Sequence, residues 1–148
     1  MEHEVLPGSS DDLKVIRISV EEKATGELMA GAGIGTDGTS FQFMVSENNW
    51  LGRGINFQST LNVSEEKISG NIAVTNPNYN FSGNAVSTGL DVSSTDRTAT
   101  TGYESTRTGF NLGTSFEQYE DIYISPGLTV NHEDIEAEST ASDSIKKM

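Results

Sequence analysis

Between Phe41 and Thr75 apolar and polar residues alternate through three runs: Phe41-Gln42-Phe43-Met44-Val45-Ser46, Ile55 to Val63, and Ile68 to Thr75. Alternation of period two is the signature of strands whose two faces meet different surroundings. In these runs one face is Phe, Ile, Leu and Val. The other is mainly Asn, Gln, Ser and Thr, without charge. A soluble sandwich is expected to carry Lys and Glu on its outer face. An uncharged polar face behind an apolar wall suits strands that separate hydrocarbon from a wet lumen. The fold class expected is all-β: an antiparallel meander of about seven strands forming the N-terminal part of a transmembrane β-barrel.

Composition agrees without deciding the matter. The hydrophobic share is 34%, and no apolar run reaches the roughly 18–20 residues of a membrane helix. Barrel strands alternate, so their mean hydropathy stays near that of a soluble protein. The absence of Cys removes disulfide frameworks and Cys-based metal sites. A net charge of −13 with no Lys/Arg stripe argues against nucleic acid as a partner. The acidic residues read as solvated loops. Met1-Glu2-His3-Glu4 has neither a basic start nor an apolar core, so no signal peptide opens the chain. The expectation is an internal piece of a longer protein.

Residues 1–25 differ from the rest. Val5 to Asp12 reads as a turn-rich loop, Leu13 to Val20 as one strand of a separate periplasmic domain, and Glu21 to Gly26 as a linker. Residues 26–131 carry the barrel strands. In the first, Leu28, Ala30, Ala32 and Ile34 share the apolar face, while Gly31, Gly33 and Gly35 lie on the other. A hairpin centred on Asp37-Gly38 pairs Ile34 with Phe41, Ala32 with Phe43 and Ala30 with Val45. No Asp, Glu, Lys or Arg falls on the apolar phase of the strands so drawn. Asp91 and Arg107 fall on the polar phase, and a hairpin centred near Ala99 sets them opposite each other as a lumen ion pair.

The connections fall into two sets. Alternate ones carry Trp50, Tyr79 and Phe81, and Phe116 and Tyr119, which read as an interfacial aromatic girdle. The others are polar and read as the outer rim, with Tyr103 as an exception. Pro126 predicts an edge or a bulge in the seventh strand. Residues 132–148 read as an acidic, mobile extracellular loop, with Ser144-Ile145-Lys146-Lys147 as the start of a further strand. Bacterial single-chain barrels close with an even number of strands, from about eight upward, so the sheet needs more chain.

Glu22-Lys23-x-Thr25-Gly26, Gly31-x-Gly33-x-Gly35-Thr36, Phe41-Gln42, Asn49-Trp50-Leu51-Gly52-x-Gly54 and Val74-Thr75-Asn76-Pro77, taken together, resemble the BamA-type outer-membrane protein assembly factors of the bacterial surface antigen family. The resemblance runs from about Val5 to Asp134 and rests most on Asn-Trp-Leu-Gly followed by Thr-Asn-Pro. It implies the last strand of a final POTRA domain over residues 1–25, followed by the first strands of a barrel of about sixteen. It implies the bacterial outer membrane as the location, with residues 1–25 periplasmic. The bilayer, accessory assembly lipoproteins and unfolded outer-membrane clients are the implied partners. The strand holding Leu28, Ala30, Gly31, Ala32, Gly33, Ile34 and Gly35 becomes one side of a lateral gate. A TamA-like relative shares the plan, and the later strands and the inward-folded loop motif are missing from this chain.

No enzyme and no cofactor is expected. Gly31-Ala32-Gly33-Ile34-Gly35 lacks the spacing of a dinucleotide fingerprint and no helix follows it. His132-Glu133-Asp134 reads as a solvated loop rather than a metal site. Asp11-Asp12 and Glu21-Glu22 have nothing apolar around them to raise a carboxyl pKa. No His stands where it would activate a Ser or Thr nucleophile. The other class of function is a passive one, a porin-like pore or a β-rich adhesin. A pore lacks the leading soluble strand, and an adhesin carries charge on both faces.

Overall fold

The computed structural model describes residues 2–7, 9–10, 12–35, 38–99 and 101–137. Every regular element among them is a β-strand, and all pairing is antiparallel. The first sheet is a hairpin, β1 (Glu2–Pro7) with β2 (Lys14–Ser19). This corrects the single strand expected there. Val5 and Leu6 find apolar partners in Ile16 and Val15, so the strand runs to Pro7 before the chain turns. Arg17 lies 3.8 Å from Glu4 across the same ladder.

The second sheet contains β3 (Gly26–Gly35), β4 (Gly38–Trp50), β5 (Ile55–Ser64), β6 (Lys67–Tyr79), β7 (Asn84–Asp96), β8 (Tyr103–Tyr119), β9 (Ile122–Ile124) and β10 (Gly127–Ala137). Neighbours in sequence are neighbours in space, in the order β10-β8-β7-β6-β5-β4-β3, with β9 also on β8. β9 and β10 are one strand divided at Pro126. Ile124 faces Phe116 and Gly127 faces Gly113, so the register is kept across the break. Of the edge or bulge expected at Pro126, the edge holds among the described residues, since β10 pairs with β8 alone, and in place of a bulge the ladder is interrupted. Pro126 donates nothing, yet its carbonyl accepts from the Thr114 N–H at 3.1 Å.

The β3–β4 register is corrected by two residues. Ala30 faces Phe43, Ala32 faces Phe41, and Ile34 faces Thr39, because the hairpin closes at Gly35↔Gly38. Residues 36–37 of the expected Asp37-Gly38 turn lie outside the described residues. A slip of two leaves both faces intact, whereas a slip of one would exchange them. Strand β10 continues to Ala137, so residues 132–137 are ladder rather than loop. The rest of the expected tail, 138–148, lies outside the described residues, as does the further strand expected there.

Carried across the registers, one face holds Leu28, Phe43, Leu61, Ile72, Leu90, Phe110 and Leu128. The other holds Gln42, Asn62, Ser69, Ser93 and Arg107. No described side chain is fully buried. Leu28 is 80% exposed, Phe43 50% and Ile72 48%, so the single sheet has no apolar core of its own. An unbroken apolar wall of this extent stays in water only at high cost, about 25 cal/mol per Å². The apolar band is finite. Beyond it, on the same face, stand Glu104, Asp134 and Glu136 at one end and Glu47 at the other. The charge-free apolar phase thus holds within the band and ends where the longer strands leave it.

Candidate functional site

Strand β3 is an edge: among the described residues it pairs with β4 alone. Leu28, Ala30, Ala32 and Ile34 lie on the apolar face. Gly31, Gly33 and Gly35 lie on the polar one, opposite Gln42, Ser40 and Gly38. None of these three glycines has a positive φ. A Cβ at Gly31 or Gly35 meets nothing within 4 Å, and one at Gly33 meets only Ser40 Oγ at 3.4 Å. Neither space nor backbone conformation requires glycine there. What the glycines supply is a weak strand, each costing about 0.5–1 kcal/mol relative to alanine.

The opposite end of β3 is held. Asn48 N–H donates to Thr25 O at 3.1 Å, extending the ladder past Gly26. The Glu47 carboxylate accepts from Asn49 N–H at 2.7 Å. A Cβ at Gly26 would lie 2.7 Å from Glu47 Oε2, so a larger residue there would displace the carboxylate from this close approach.

Three hairpins end at this same rim, and each carries a β-bulge before its turn: between Glu47 and Trp50, Asn76 and Tyr79, and Glu117 and Tyr119. A bulge adds one residue to one strand and so reverses which face the next side chain takes. Trp50, Tyr79 and Tyr119, all off the apolar phase by simple counting, are thereby returned to it. Trp50 packs edge-on against Phe57, ring centroids 3.7 Å apart. Phe116 is on the apolar phase without help. Phe81 lies in the turn itself, 94% exposed at φ 56°. The first two turns share a design. Asn49 Oδ1 accepts from Gly54 N–H at 2.7 Å and Asn78 Oδ1 from Gly83 N–H at 2.8 Å, with Leu51 and Asn80 both left-handed. Off-phase aromatics just before a turn were the available signal for these bulges. Glu47 gave no such signal, because its role depends on a register that alternation leaves free.

The expected ion pair is corrected. Asp91 faces Gly109 and Arg107 faces Ser93, so the two charges are diagonal neighbours. No salt bridge joins them among the described residues. The Asp91 carboxylate occupies the space a Cβ on Gly109 would take. Asp91→Asn and Arg107→Gln are accordingly expected to affect stability additively, within about 0.5 kcal/mol in a double-mutant cycle. At the rim opposite the three bulged hairpins Arg97 does make a pair, its Nε 3.2 Å from Glu66 Oε2, while Asp96 N–H donates to Glu66 O at 2.8 Å. This ties the β7–β8 loop to the β5–β6 turn. Tyr103, the aromatic outside the girdle, belongs to this rim, its carbonyl accepting from Arg97 N–H at 2.9 Å.

A family model described as the Omp85 superfamily domain matches residues 49–147. Among solved structures, that of BamA from Haemophilus ducreyi lacking POTRA domains 1-3 matches with a TM-score of 0.72 at 21% identity. The match covers 91% of this chain and 26% of that one, so the chain spans about a quarter of that structure. The likeness is one of fold.

Proposed function

The chain belongs to the Omp85 superfamily, and from that premise we propose that it forms the first barrel strands of a BamA-like factor that folds and inserts outer-membrane proteins. The observation that carries this reading is the state of β3: an edge strand, soft over Gly31 to Gly35, on a sheet whose apolar face needs a bilayer. An open edge presents unpaired N–H and C=O groups in register for another strand. A client strand added there is stabilised by main-chain hydrogen bonds regardless of its sequence, which suits a factor with many clients. In this reading β1 and β2 end a POTRA-like periplasmic domain. Trp50, Tyr79, Phe116 and Tyr119 sit at the inner interface of the outer membrane, with Phe81 at the tip of its turn. Accessory lipoproteins act on the longer protein from the periplasmic side.

The test uses the full-length protein in lipid vesicles with an unfolded barrel client. A photo-crosslinking residue at Gly33 is expected to capture the client, one at Ile72 is not, and client folding is accelerated over empty vesicles. Steady ion conductance with neither capture nor acceleration would return the passive pore as the better reading.

A further inference from the structure

Two turns of the bulged rim are one backbone design filled with different residues. The first is Asn49-Trp50-Leu51-Gly52-Arg53-Gly54 and the second Asn78-Tyr79-Asn80-Phe81-Ser82-Gly83. In each, the leading Asn N–H donates to the side chain two residues back, Glu47 or Asn76. The fourth N–H donates to the first carbonyl and the fifth to the second. The third, fourth and sixth residues are left-handed in both: Leu51, Gly52 and Gly54, then Asn80, Phe81 and Gly83. Gly and Asn take that conformation readily, and a bulky side chain does not. Each turn shows that its counterpart does not need the bulky residue. Asn80 stands where the first turn has Leu51, and Gly52 stands where the second has Phe81. Packing does not hold them either, since Leu51 is 78% exposed and Phe81 more so. Backbone strain of this kind is kept where something outside the fold uses it.

We infer that Leu51 and Phe81 are membrane anchors: their side chains enter the headgroup region of the phospholipid leaflet beside this rim, with Arg53 at the lipid phosphates. The inference rests on the reading that a bilayer covers the apolar face, and not on client insertion. The two tips are neighbours, two strand spacings or about 10 Å apart. Trp50 and Tyr79 lie on the apolar phase just before them, so the tips continue the apolar wall past its aromatic border. Neither turn holds a carboxylate, and Arg53 makes no ion pair among the described residues. Apolar, aromatic and cationic side chains together suit a phospholipid interface. The third hairpin of the rim is built otherwise. Its tip is Glu120-Asp121, with the Glu117 carboxylate accepting from Asp121 N–H at 3.0 Å, and it stays in water. The rim is thus held to the leaflet on the β4–β7 side, next to the edge strand β3.

The test places a photo-crosslinking residue at Leu51, Phe81, Ile72 or Asp121 of the full-length protein, in phospholipid vesicles with an unfolded barrel client present. Adducts of phospholipid mass are expected at 51, 81 and 72, and little or none at 121. A second measurement swaps the tips for what the counterpart turn already carries, Leu51→Asn with Phe81→Gly. Urea unfolding from vesicles is expected to show an unfolding equilibrium constant raised roughly tenfold, the scale of two methylene groups withdrawn from lipid. Phe81→Trp, bulky in the same backbone, keeps the wild-type value. Lipid adducts at 72 without any at 51 and 81, client adducts at 51 and 81 in place of lipid, or a double variant as stable as the wild type would overturn the anchor alone. No lipid adduct at 72 would overturn the bilayer reading and the anchor together. Lipid adducts at 51 and 81 with no client capture at Gly33 would leave the anchor standing and remove only the insertion reading.

Discussion

Ile72→Arg is expected to cost the inserted barrel about 2–4 kcal/mol, while Asn71→Arg, one residue away, costs little or nothing. Ile72 lies midway along the apolar band of β6, opposite Ser59 and Leu90, and is 48% exposed on a sheet with no core to cover it. In a bilayer an arginine there must lose its hydration or drag water into hydrocarbon. Asn71 points to the other face and pairs with Asp91, so an arginine there meets water and an opposite charge. Unfolding of the full-length protein from vesicles, measured by urea titration, reads both variants against the wild type. The contrast between adjacent positions is the informative quantity, since a general effect of added charge would fall on both equally. Equal losses at 71 and 72 would mean that the two faces do not meet different media.

The same contrast shows what the sequence could and could not disclose. Side-chain polarity specifies parity, so the faces of β4, β5 and β6 were readable from Phe41 to Thr75. Parity is blind to a slip of two, and both register corrections have that size in separation along the ladder. Ile34 meets Thr39 instead of Phe41, and Asp91 meets Gly109 instead of Arg107. In each case the apolar and polar faces survive and the pairwise contacts do not. Only the turn distinguishes such registers, and turn geometry is set by a few backbone dihedrals that alternation does not encode. Val5-Leu6 shows a different limit. Two apolar residues before Pro-Gly are too short a run to announce a strand, which exists because Val15 and Ile16 pair with them. The approach of Glu47 to Gly26 is likewise invisible to alternation, since it depends on the β3–β4 register and on the bulge that follows Glu47.

Replacing Gly31, Gly33 and Gly35 together by alanine is expected to stabilise β3 by about 1.5–3 kcal/mol, at about 0.5–1 kcal/mol per site. Each site accepts a methyl group: φ is not positive, and the nearest atom to any of the three new Cβ positions is Ser40 Oγ at 3.4 Å. The gain comes from the opened strand, where alanine has fewer backbone states to lose on pairing. It should appear as slower exchange at Gly31 to Gly35 and a higher unfolding midpoint in vesicles. If opening of this edge limits client insertion, the same free energy enters the rate. At about 1.4 kcal/mol per decade, insertion slows by roughly 10- to 100-fold while the barrel becomes more stable. The opposed signs separate this outcome from ordinary damage, because a misfolded variant loses stability and activity together. A stabilised triple variant that inserts clients at the wild-type rate would show that the glycine end of β3 is soft without being the gate. A destabilised one would show that the glycines answer a packing demand from strands that close the barrel beyond this chain.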